Sequence, residues 1–124
     1  MHSRSEIEFP VCSRAIVADG TGGFSLRNIL VDAPGAGEVM VGIAAAGLCH
    51  TDWDMIHINS EPSVLGHEGA GVVLAIGSGV SNVSVGQRVV LNWAIPCRDC
   101  APCSQGLYPL FELNSPAYGD GISG

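Results

Sequence analysis

The chain has 124 residues, twelve acidic against five basic side chains, and a formal net charge of −7; every basic residue is an arginine. With 47% apolar and 14% charged residues it has material for one domain core and too little charge density for a disordered chain. The acidic balance excludes nucleic acid and anionic membrane as principal partners, and the longest apolar run, Val39 to Leu48, is about half of the roughly 20 residues that span a bilayer.

In chain order, Met1 to Glu8 is polar and charged and does not read as a signal peptide. Seventeen glycines and seven prolines then cut the sequence into short apolar runs. Predicted strands are Val11 to Val17, Phe24 to Val31, Glu38 to Ala46, Gly71 to Ile76 and Arg88 to Trp93, with turns at Asp19-Gly20, Pro34-Gly35 and Ser78-Gly79. One short helix is expected to start near Cys49 and run through Trp53, Met55 and Ile56, capped by Thr51 or a polar neighbour. Cys12 reads as a small buried hydrophobe, and Trp53 either lines a pocket or packs in the core. The predicted class is mainly β with short helices, as a barrel or sandwich. Asn114 to Gly124 is rich in Gly, Ser and Pro and reads as a frayed end or the start of a further segment.

The five cysteines are odd in number, and Cys97, Cys100 and Cys103 are spaced by three. Without a secretory leader this pattern favours metal ligation over disulfides and predicts a reducing, cytoplasmic compartment. The sequon Asn82-Val83-Ser84 then carries no meaning. Two further constellations bear chemistry. In Gly47-Leu48-Cys49-His50-Thr51-Asp52, Cys and His are zinc-binding types and a hydroxyl follows two residues after the thiol; the alternative is a buried free thiol beside a surface imidazole. In Gly66-His67-Glu68-Gly69-Ala70-Gly71, a His-Glu pair enters a glycine-rich strand whose backbone can approach another chain closely; the alternative is a core histidine beside a solvated carboxylate.

Together the two segments are far more specific. Gly66-His67-Glu68 followed by Gly71, Gly77 and Val80, with Gly37-Glu38-Val39-Met40-Val41 upstream and Val85-Gly86-Gln87-Arg88-Val89 downstream, resembles the zinc-dependent medium-chain alcohol dehydrogenase family from about Ile16 to Glu112. The resemblance implies a GroES-like, partly open β-barrel over residues 1–113, with a Cys-rich lobe at about 95–113. Residues 114–124 would lead toward a cofactor domain that lies outside this sequence. It implies Cys49 and His67 as ligands of a catalytic zinc, with Glu68 as the adjacent carboxylate able to approach the metal. Asp52 would hold the ligand imidazole, Thr51 would take the proton of the alcohol, and His50 would contact the pyrophosphate of NAD(P). The family's relay histidine is replaced here by Asp54, with His57 as a nearby substitute.

In the Cys97–Cys103 lobe the family's fourth cysteine is replaced by Phe111, so a tetrahedral structural zinc lacks a ligand unless Glu112 supplies one. A metal-free lobe is the equal alternative. Gly119-Asp120-Gly121-Ile122-Ser123-Gly124 spells a dinucleotide fingerprint, yet no strand pattern precedes it and no helix follows it in the sequence. The expected function is hydride transfer between a small alcohol or aldehyde and NAD(P), in a full-length homo-oligomer. The 124-residue portion is expected to be inactive alone, and a non-catalytic zinc-binding module or truncated relic is the alternative.

Overall fold

The computed structural model describes residues 6–92 and 101–106. The elements in order are β1 (Val11–Ala18), β2 (Phe24–Val31), β3 (Val39–Gly47), α1 (His50–Ile58), β4 (Ser63–Val64), β5 (Glu68–Ile76), β6 (Arg88–Val90) and a short α2 (Ala101–Ser104). The mainly β reading holds. Among the described residues the strands form two open three-stranded sheets, β2-β1-β4 and β3-β5-β6, and neither closes into a barrel.

Valine, isoleucine and other strand-favouring residues fill β1 and β2, which pair antiparallel along their whole length, from Val11 opposite Val31 to Ala18 opposite Phe24. The connection is built by Asp19. Its carboxylate accepts hydrogen bonds from the Thr21 N–H (2.7 Å), the Thr21 hydroxyl (2.8 Å) and the Gly23 N–H (3.0 Å). These donors, the Thr21 N–H first, hold the Asp19 carboxyl below its ordinary value near 3.8.

β3 and β5 pair antiparallel from Val39 opposite Ile76 to Gly47 opposite Glu68, with two irregularities. One leaves Leu74 of β5 without an opposite residue, and the other leaves Ala44 of β3 so. β5 begins at Glu68, three residues before the predicted start. The close backbone approach expected of this glycine-rich segment is seen at Gly71, where a methyl group would collide with the carbonyl of Gly42. β4, two residues long, was not foreseen, because nothing so short shows a period.

Among the described residues the buried apolar side chains are Val17, Ala18, Ile56 and Val73, the last 1% exposed. Cys12, expected inside, is exposed. It lies opposite Leu30, itself 70% exposed, on a face of the β1–β2 pair that no described element covers. No helix among the described residues is long and apolar enough to cross a membrane.

Candidate metal centre

The last rung of the β3–β5 ladder builds the site. Gly47 stands opposite Glu68, so the residues just beyond each strand end, Cys49 and His67, emerge side by side although eighteen positions separate them in the chain. One ligand atom from each of Cys49, His67 and Glu68 lies within 4.8 Å of the other two. Zinc bonds of about 2.0–2.3 Å place neighbouring ligands of a tetrahedral ion about 3.3–3.8 Å apart. Small side-chain rotations bring the three donors to that spacing. The absence of a side chain at Gly47 makes the room, because a methyl group there would collide with the Glu68 carboxylate.

Asp52 locks this arrangement. It is 4% exposed, the one buried charged residue of the described chain. Cys49, and not Thr51, occupies the N-cap of α1. The N–H of Cys49 donates to Asp52 Oδ2 at 3.1 Å, the carboxylate half of a capping box. Asp52 Oδ1 accepts from the N–H of Gly66 at 3.1 Å and stands 3.5 Å from Nδ1 of His67. One carboxylate thus grips the chain beside the thiol and the chain beside the imidazole. Gly66 has φ +108°, which a residue with a side chain rarely adopts, so its conformation is part of how its N–H reaches Asp52. Sequence reading missed Gly66 and the double grip. The spacing Cys49-x-x-Asp52, ahead of a helical run, was the available signal.

The other candidates are dispersed. Thr51 is half-buried in the first turn of α1. His50 projects outward, with Nε2 3.5 Å from Asp54 Oδ1. His57 does not approach Thr51's position by any recorded contact: its Nδ1 is 2.8 Å from the Trp53 carbonyl oxygen and its ring centroid 4.7 Å from that of Trp53. Trp53 is exposed, which removes core packing as its role, and Leu48, beside Cys49, is 92% exposed. Cys97, Cys100, Phe111 and Glu112 lie outside the described residues. Cys103 falls within α2, where its side chain is not described. The tail 114–124 with its glycine pattern also lies outside them. An open cleft lined by β1, β2 and residues 62–64 contains none of the candidate site residues.

The profile of the alcohol dehydrogenase GroES-like domain matches residues 35–124, well over half of the chain. The chain belongs to the alcohol dehydrogenase family. It is 40% identical over 115 residues to an S-(hydroxymethyl)glutathione dehydrogenase of Paracoccus denitrificans, which covers 89% of this chain and 31% of that protein. Among solved structures it resembles an alcohol dehydrogenase zinc-binding domain protein from Burkholderia ambifaria, with a TM-score of 0.72, 40% identity, and coverage of 80% of this chain and 28% of that one. It also resembles the Escherichia coli CFT073 short chain alcohol dehydrogenase complexed with NADH, with a TM-score of 0.67, 34% identity, and coverage of 79% and 29%. The chain therefore spans under a third of each of these alcohol dehydrogenases.

Proposed function

We propose that Cys49, His67 and Glu68 hold the catalytic zinc of an alcohol dehydrogenase that transfers a hydride between a small alcohol or aldehyde and NAD(P). The observation that carries this reading is the convergence of the three donors within 4.8 Å at the end of one ladder. A thiolate, an imidazole and a carboxylate form a donor set that zinc accepts. When bound, zinc supplies Lewis-acid polarisation of the substrate oxygen. The chain's own residues do the rest. Asp52, beside Nδ1 of His67, fixes the imidazole and leaves its other nitrogen for an ion. Thr51, two positions after the thiol, accepts the substrate's hydroxyl proton on its side-chain oxygen as it passes its own hydroxyl proton on to water. His50 meets the cofactor pyrophosphate, although Asp54 beside it places a carboxylate where a phosphate would be repelled.

On this reading the 124 residues do not turn over alone. The resemblance assigns a third cysteine ligand and the dinucleotide-binding domain to parts of the family that this chain does not match. Metal analysis of the purified chain tests the proposal. Zinc is expected to bind, and Cys49→Ser or His67→Gln is expected to remove the metal held at this site. Zinc content unchanged in the double variant would overturn the assignment. Zinc remaining in that variant and lost on substituting Cys97, Cys100 and Cys103 would place a structural zinc in the lobe. Alcohol-dependent NAD(P)H production by the 124-residue chain would overturn its inactivity alone.

A further inference from the structure

The outer face of α1 carries two imidazoles and a carboxylate, of which the catalytic reading uses only His50. An α-helix advances about 100° per residue, so His50, Asp54 and His57 project within an arc of about 60°. His50 and Asp54 have already converged, with Nε2 3.5 Å from Oδ1. His57 has its Nδ1 2.8 Å from the backbone oxygen of Trp53. That contact is a hydrogen bond only if Nδ1 carries the proton, which leaves Nε2 as a bare lone pair facing away from the backbone. All three side chains are exposed, and no Lys or Arg occurs in the helix to compete for the site.

The geometry points to a second, weaker divalent-metal site on this face, with two imidazoles and one carboxylate as ligands. This nitrogen-rich donor set selects nickel, copper or zinc over magnesium and calcium. The three groups are not preassembled around one point. His57 packs against Trp53, and closing the site requires turning side chains at a water-exposed surface, which makes binding weaker than at the Cys49–His67–Glu68 cluster. On the catalytic reading, occupancy would take His50 away from the cofactor pyrophosphate, so excess divalent metal would oppose cofactor binding.

Nickel titration of the 124-residue chain, with no more than one equivalent of zinc present, tests the site, because paramagnetic nickel broadens the NMR signals of any histidine ring it binds. The ring signals of His50 and His57 are expected to broaden together, at nickel concentrations that leave His2 and His67 sharp, while Trp53 fluorescence falls in parallel. Asp54→Ala and, separately, His57→Gln are expected to raise the nickel needed by at least about tenfold, the scale on which even outer contacts of a metal act. Independent responses of the two rings, or a response unchanged in both variants, would overturn the proposal. Asp54 and His57 lie outside the Cys49–His67–Glu68 cluster, so failure of this test leaves the zinc assignment at the ladder end standing, and the reverse.

Discussion

Replacing Asp52 with alanine separates the framework of the site from the metal binding proposed for it. The carboxylate is 4% exposed and accepts two backbone N–H bonds, from Cys49 and Gly66, each at 3.1 Å. A hydrogen bond to a charged group contributes about 1.5–3 kcal/mol, and a buried donor left without a partner loses the full benefit. Gly66 is exposed enough for water to replace part of its bond, so the expected cost is about 3 kcal/mol. That is a large share of the 5–15 kcal/mol typical of a whole domain. Urea unfolding of the reduced, metal-free chain measures it directly. Asp52→Asn keeps one acceptor oxygen and is expected to cost about half as much. Zinc affinity should fall by about 10–100-fold in the alanine variant, through loss of the contact to His67. A loss below about 1 kcal/mol in the metal-free alanine variant would refute the claim that Asp52 ties the two segments together.

Gly47→Ala and Gly71→Ala should behave as opposites. At Gly47 the new methyl meets the movable end of Glu68, so stability should change by less than about 1 kcal/mol while zinc affinity drops. At Gly71 it meets the Gly42 carbonyl, a rigid backbone group, and a loss of about 3 kcal/mol in urea unfolding is expected. Val73→Ala removes two methyl groups of the largest fully buried side chain among the described residues and should cost about 2–3 kcal/mol by the same assay. Asp19 has a folded-state pKa below its unfolded one, so its stabilisation is present above pH 3.8 and is lost as pH falls through the lower folded value. Stability measured from pH 5 downward should therefore fall less steeply in Asp19→Asn, and an unchanged slope would count against the turn network.

The strands were legible where β-branched residues run between turn signals: β2 was predicted with its observed bounds, and β1 and β3 to within one residue. Partner choice was not legible. It depends on which distant groups press together: the Gly42 carbonyl against Gly71, and the Leu91 and Ile43 side chains against Gly69, all lie far off in the chain. Cys12 was misplaced for the same reason: its burial depends on what covers the β1–β2 face, which its own neighbours in sequence do not reveal. Cys49, His67 and Glu68 were proposed as a set through the family resemblance, since each segment alone had an ordinary structural explanation. Asp52 was foreseen beside the imidazole, but its grip on Cys49 and Gly66 required the fold. The cap fell on Cys49 instead of Thr51 because a polar side chain three positions later can serve the end of a helix from inside it.

The unmatched residues Leu74 in β5 and Ala44 in β3 offset one another: the first slips the alignment by one position and the second slips it back. Because Ala44 has no opposite residue, deleting it would remove the bulge and leave Ile43 opposite Gly71 and Gly47 opposite Glu68. Deleting Leu74 would likewise leave Met40 opposite Ala75 and Val41 opposite Val73. The thiol thus keeps its place beside His67 through the pairs that flank each insertion, while the insertions themselves only bend the strands between those pairs.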